Sequence, residues 1–180
     1  MSKDLIRTFK FFWPDQDREQ ELWLRAQARA GLHLVGVNVL CTWTFRRGAP
    51  ADVAYRVDFT DKGRDPLYRQ LFADAGWERA AEVTGWQYWR KAVTTGAAPE
   101  IFTDNASKVA KFRRLIALCA LGISPMLITG ATLIPARLAQ MSPLTMVGII
   151  AVYTLLPLIY AIMALRLFKR MRELSPPAAS

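Results

Sequence analysis

The sequence predicts an α+β fold: a ferredoxin-like antiparallel sheet with two helices, followed by a two-helix transmembrane hairpin. Three observations carry this. Apolar residues alternate at period two in several short stretches of the first 92 residues, between two segments with helix start and stop signals. Two later runs, 115–136 and 144–165, hold 22 residues each without a charge. At a rise of about 1.5 Å per residue each reaches about 33 Å, enough for a hydrocarbon core of about 30 Å. Finally, the net charge of +9 is divided unevenly: residues 1–107 hold 15 Lys and Arg against 14 Asp and Glu, whereas residues 108–180 hold 9 against one.

The elements follow in order. "LIRTFKFFW" places Phe9, Phe11 and Trp13 at period two and predicts a strand that ends at Pro14. "DQDREQELWLRAQARAG" predicts a helix with acids at its start, Arg25 and Arg29 at its end and Gly31 as its stop. Leu22, Ala26 and Ala30 share one of its faces. From Leu32 to Arg46 the alternation returns through Val35, Val37, Val39, Cys41, Trp43 and Phe45, as one long bent strand or two short ones. "RRGAPAD" is a turn, and "VAYRVDF" a strand with Val53, Tyr55, Val57 and Phe59 inward. "DPLYRQLFADAG" predicts a short helix capped by Asp65, with Pro66 at its first position and Gly76 at its end. "WERAAEV" and "WQYWRK" then form a hairpin around Thr84-Gly85. A faint repeat runs through this region. "RAGLHLVGV" and "DAGWERAAEV" both follow a helix and both lead to an aromatic strand with basic residues at its end. The expected sheet carries both helices on one face and leaves the other open or covered by something else.

The chain divides into a cytoplasmic α+β domain (1–98), a basic juxtamembrane linker and helix start (99–114), a first transmembrane helix (115–136), an external loop (137–143), a second transmembrane helix (144–165) and a basic cytoplasmic tail (166–180). Lys108, Lys111, Arg113 and Arg114 precede the first span; Arg166, Lys169, Arg170 and Arg172 follow the second; the loop holds only Arg137. The positive-inside rule puts both termini in the cytoplasm, as a two-pass protein of the inner membrane. Thr103 or Asp104 would cap the first span's helix, and Pro125 and Pro157 would kink the spans. Ala120 and Ser124 form a small-residue pair that would let helices pack closely. "MSKDLIRTFKFFWPDQ" lacks a long apolar core and is not read as a signal peptide.

The residues argue against several function classes. The excess basic charge flanks apolar sequence instead of covering a folded surface, so no nucleic-acid partner is expected. Cys41 and Cys119 are separated and His33 is the single histidine, which gives no metal site and no disulfide framework. No glycine-rich phosphate loop ending in Lys-Ser or Lys-Thr is present. His33 alternates with apolar neighbours and reads as a structural or surface histidine, and Asp58 and Asp61 read as solvated acids. Neither span carries an ionisable group apart from cysteine and tyrosine, which argues against a carrier acting alone. No catalytic, cofactor-binding or metal-binding residue is assigned, and the chain is not expected to be an enzyme.

The aromatic residues carry the remaining signal. Trp77, Trp86, Tyr88 and Trp89 fall close together, beside Arg90 and Lys91. Core packing is the first reading of this cluster; yet Tyr88 and Trp89 are neighbours on one strand and face opposite sides, so the alternative is that one of them serves an open face. Trp77, Trp86, Tyr88, Trp89 and Arg90 are therefore the candidate partner-binding residues, of types that anchor protein interfaces.

"FKFFWPDQDREQELWLRAQARAGLHL", "YRVDF", "LFADAGWE", "GWQYWRK" and "PEIFTDNASKVAKFRR" together resemble the bacterial family known as domain of unknown function 2812, over about residues 7–114. The resemblance implies an uncharacterised membrane protein in which this domain is joined to C-terminal spans. It also implies a partner in a membrane-linked response, because family members are often encoded beside PadR-like transcriptional regulators. It carries over no catalytic or ligand residue. The expected function is that of a membrane-anchored sensory or regulatory protein whose cytoplasmic domain binds a protein partner. An accessory subunit of a membrane transporter and a small-ligand sensor are the alternatives. The expected partners are the lipid bilayer and a protein, either a regulator or a membrane subunit, with a homo-oligomer as an alternative; the open face is left to lipid, a second copy or another protein, and no cofactor is expected.

Overall fold

The alternation of strand and helix builds one unit twice. The computed structural model describes residues 4–60, 63, 65–93, 105–137 and 141–174. The chain forms two units, Met1–Thr103 and Asp104–Ser180. The first runs β1 (Leu5–Phe9), α1 (Asp17–Arg29), β2 (Leu32–Val37), β3 (Thr42–Arg47), β4 (Val53–Phe59), α2 (Pro66–Asp74), β5 (Glu78–Val83) and β6 (Trp86–Ala92). The second holds α3 (Asn105–Arg137) and α4 (Pro143–Leu174).

The first unit is α+β, with two three-stranded antiparallel sheets ordered β1-β3-β2 and β4-β6-β5. The expected single sheet with both helices on one face is thus corrected. β2 and β5 lie beside each other, yet no ladder joins them among the described residues. Both strands carry a β-bulge, between Leu34 and Gly36 in β2 and between Arg79 and Ala81 in β5. A bulge bends its strand and locally interrupts its ladder, here those of β2 with β3 and of β5 with β6.

The halves repeat in detail. Gly31 and Gly76 both stop a helix with positive φ, +77° and +74°. Gly31 N donates to Ala28 O at 3.0 Å, and Gly76 N to Ala73 O at 2.8 Å. Each bulge begins three residues after its glycine. The hairpins differ: Thr84 and Gly85 (φ +46° and +86°) make the two-residue turn that strand twist favours, while 38–41 is a longer turn closed by Asn38.

β1 stops at Phe9, so Phe11 and Trp13 fall outside the strand. The 32–46 stretch forms two strands, and Val39 in the turn between them is exposed. In α1 the buried face is Gln20, Leu24 and Ala28, whereas Leu22, Ala26 and Ala30 are exposed. Leu24 and Ala28 enter a core with Leu34, Trp43, Phe45, Tyr55, Val57, Ala81 and Tyr88, drawn from both sheets. Trp23 and Trp43 meet edge-to-face at 5.2 Å, and Trp43 meets Tyr88 at 5.5 Å. α2 is capped as its sequence predicts, Leu67 N donating to Asp65 Oδ1 at 2.9 Å with Pro66 at the first position. It covers the other side of the second sheet, where Ala54, Phe72, Trp77 and Trp89 form a second core.

α1 also closes an open strand edge. Val57 N, on the side of β4 away from β6, donates to Glu21 Oε1 at 3.0 Å, and Arg56 Nη1 donates to Glu21 Oε2 at 3.0 Å. One carboxylate thus satisfies an edge amide that would otherwise be a pairing site. Further along, Arg25 and Arg29 both grip Asp52, at 2.6 and 2.7 Å and at 3.2 and 2.8 Å. These hydrogen bonds, Arg25's first, hold the Asp52 carboxyl well below the usual carboxylate range.

In the second unit two helices are long and apolar enough to cross a membrane, over Lys111–Thr132 (22 residues) and Pro143–Glu173 (31 residues). Their apolar side chains are largely exposed, unlike those of a soluble core helix. The side-chain hydroxyls turn inward on their own backbone: Ser124 Oγ donates to Leu121 O at 3.0 Å, the carbonyl that Pro125 cannot serve, and Thr132 Oγ1 to Ile128 O at 2.8 Å. α3 and α4 approach where Tyr160 lies over Gly122 and Tyr153 over Gly130. Tyr153 and Thr129 share a hydrogen bond of 2.7 Å. Both helices continue through Pro125 and Pro157. The expected caps Thr103 and Asp104, as well as Asp61, lie outside the described residues.

Candidate functional site

The candidate aromatic cluster is divided by the fold. β6 is the middle strand of its sheet, so alternate side chains enter the two cores. Tyr88 enters the first and Trp89 the second, where its ring stacks on Phe72 at 4.1 Å and 16° with Tyr68 at 5.9 Å. Both are buried, as is Trp77, whose ring faces the Arg56 guanidinium at 5.8 Å. The alternative that one of the pair Tyr88 and Trp89 serves an open face is corrected, because α2 covers one side of β6 and the first core the other. Trp86 is half-buried against Phe59 at 5.1 Å. Arg90 is half-exposed and pairs with Glu78 across the β5–β6 ladder.

Burial affects the titration of the tyrosines. Desolvation pushes the Tyr88 phenol well above its ordinary value. Tyr68 is raised by burial and then by Asp58, to which its hydroxyl donates at 2.8 Å. Both phenols stay neutral and act as packing groups with one polar tip.

Two of the candidates do meet at a surface. Trp77 and Arg90 line a cleft of about 520 Å³ together with His33, Val53, Gly76, Glu78, Lys91 and Ala92. The polar groups there are already engaged: Lys91 Nζ donates to Ala75 O at 2.7 Å, His33 Nε2 to Ala49 O at 2.9 Å, and Arg90 to Glu78. The bond to a carbonyl places a proton on His33 Nε2. His33, Glu78 and Lys91 carried no functional signal in the sequence, because the cleft exists only once β2 and β5 lie side by side. Among the described residues no group of three or more His, Cys, Asp or Glu could hold a metal ion. Cys41 and Cys119 are free and half-buried.

The basic residues that flank the two apolar spans differ in setting. Lys111 is buried, with its ammonium 5.7 Å from the Phe112 ring centroid. Arg113, Arg114, Lys169 and Arg172 are exposed, Arg166 is half-exposed, and Arg170 pairs with Glu173 at 3.0 Å. Lys108 lies in the first turn of α3. A family model described as "Protein of unknown function (DUF2812)" matches residues 16–123. No curated protein and no solved structure matches the chain.

Proposed function

The chain belongs to the DUF2812 family, and from that premise we propose a membrane-anchored sensory or regulatory protein whose α+β unit binds a protein partner. The outer side of α2 carries this reading. Leu67 and Leu71, four residues apart and so on one face, are 80% and 54% exposed, while Phe72 turns inward onto Trp89. Covering both leucines would contribute about 2–4 kcal/mol to a complex. The buried candidates Trp77 and Trp89 then act as the platform that holds α2, and Trp86 and Arg90 remain the candidates at the surface. α3 and α4 anchor the unit, with both termini in the cytoplasm at the inner membrane by the positive-inside rule. The ferredoxin-like comparison is part of the same proposal, supported by the two strand–helix–strand–strand halves.

Purification of the full chain in mild detergent, with mass spectrometry of its companions, tests this beside the double variant Leu67→Asp, Leu71→Asp. A soluble transcriptional regulator retained by the wild type and lost from the variant supports the proposal. A polytopic membrane protein as the main companion makes the chain an accessory transporter subunit instead. A companion held equally by both proteins removes the α2 surface from consideration.

The cleft at His33, Trp77 and Arg90 favours a second reading, a small-ligand sensor. A ligand-dependent rise in melting temperature that Arg90→Ala abolishes would support it, and indifference of the wild type to a metabolite library would remove it.

A further inference from the structure

The end of the first sheet farthest from Arg46 and Arg47 is apolar and exposed. Phe9 and Phe11 are 73% and 53% exposed, and Val39 and Leu40 in the β2–β3 turn are 72% each. These residues are close together, since Phe9 pairs with Thr42 and Lys10 N donates to Cys41 O at 3.1 Å. From Leu34 to Phe45 the chain has no charged residue.

Asn38 organises the turn. Asn38 Oδ1 accepts from Leu40 N and Thr42 N, both at 3.0 Å. Asn38 O accepts from Cys41 N, and Asn38 N donates to Thr42 O, both at 3.1 Å. Four backbone amides of the tip are therefore satisfied within it, which lowers the cost of bringing it against an apolar medium. Trp13 packs edge-on against Phe11 at 5.3 Å, as an interfacial aromatic would.

Behind the tip, one face of the sheet is open. Leu5, Arg7 and Phe9 of β1 share it with Thr44 and Arg46 of β3 by register. Arg7 and Arg46 stand about 7 and 14 Å from the level of Phe9, at about 3.4 Å per residue. Both are exposed and enter no ion pair among the described residues, and no acid shares the face in β1, β2 or β3. An apolar tip with unpaired arginines behind it is complementary to an anionic lipid surface, where tails meet the tip and headgroups meet the guanidinium groups.

We propose that this tip and the face behind it dock on the anionic surface of the bilayer that α3 and α4 enter. The proposal rests on the membrane-anchored reading above. Tethering keeps the bilayer at high effective concentration, so a shallow apolar contact suffices. A protein partner that adds a strand is the less suited occupant, because four amides of the tip are already taken.

The test uses the full chain carrying Cys119→Ser, which leaves Cys41 in the tip as the single cysteine. Cys41 receives an environment-sensitive fluorophore, and the protein is placed in nanodiscs of phosphatidylcholine alone or with phosphatidylglycerol. The expected result in the anionic discs is blue-shifted emission, quenching by doxyl-labelled lipid and a several-fold loss of quenching by aqueous iodide. Arg7→Glu with Arg46→Glu, and separately Leu40→Asp, should restore iodide quenching while tryptophan emission stays native. Equal iodide access in both discs with no lipid quenching overturns the inference and leaves the anchoring intact. Protection from iodide without lipid quenching overturns it in favour of a protein cover. Failure of the chain to co-elute with lipid at all overturns the anchoring and the docking together.

Discussion

Gly31 and Gly76 occupy the same place in the two halves, yet alanine at each should cost different amounts. Both residues have positive φ, so either substitution carries the strain of an L-residue in the left-handed region, about 1–2 kcal/mol. At Gly76 that is the whole effect. A new Cβ would lie 3.4 Å from Lys91 Cε and Nζ, ordinary contact with the end of a flexible side chain. At Gly31 the Cβ would lie 2.7 Å from Gly48 O, a backbone atom. Gly48 cannot simply retreat, because its N donates to Gly31 O at 2.9 Å. Forced displacement in a packed region adds about 1–3 kcal/mol. Gly76→Ala should therefore destabilise the first unit by about 1–2 kcal/mol and Gly31→Ala by about 2–5 kcal/mol. Urea unfolding followed by tryptophan fluorescence reads this in the full chain, since all six tryptophans lie in the first unit. With an m-value of about 1–3 kcal/mol/M, each kcal/mol moves the midpoint by about 0.3–1 M. Equal midpoints for the two variants, or a larger loss for Gly76→Ala, would refute the assignment of the difference to the Gly48 carbonyl.

Three further outcomes follow from particular contacts. Glu21→Ala leaves the Val57 edge amide without this partner and Arg56 without its carboxylate, at a cost of about 2–4 kcal/mol; Glu21→Gln, which keeps an acceptor for Val57, should lose less than half of that in the same urea titration. Asp52 has a depressed folded-state pKa, so its stabilisation is complete above its unfolded value of about 3.9 and is lost as pH falls below it. The wild-type midpoint should therefore fall more steeply than that of Asp52→Asn on acidification from pH 6 to about pH 3, and parallel curves would contradict the Arg25–Asp52–Arg29 geometry. Tyr153→Phe keeps the ring over Gly130 but removes the bond to Thr129, and should weaken association of α3 with α4 by about 0.6–1.7 kcal/mol, measured by reversible unfolding of the hairpin in mixed micelles.

The order of elements could be read from the residues because their signals are local. Asp65-Pro66 and Gly76 mark the ends of α2 through cap chemistry that needs no distant contact. Thr84-Gly85 fixes the β5–β6 turn through its φ values, and uncharged length identifies the two candidate spans. The aromatic site was not legible in the same way. Alternation says that Tyr88 and Trp89 point apart, but not whether each side is covered, and burial depends on α2 and on the first sheet, which are remote in sequence.

The sequence by itself determined the α+β character, the repeat marked by two glycines 45 residues apart, and the pair of apolar helices, since each follows from propensity, turn chemistry or hydrophobic length. Only the tertiary structure decided which face of α1 is buried, that the strands part into two sheets, and what meets what across them. The bulge in β5 shows why. Counting outward from Thr84-Gly85 would set Arg79 opposite Arg90, two like charges. The extra residue between Arg79 and Ala81 shifts the register, so that Glu78 meets Arg90. A one-residue shift turns every later side chain to the other face of a strand. It leaves no mark in the composition, because the packing of neighbouring elements places it.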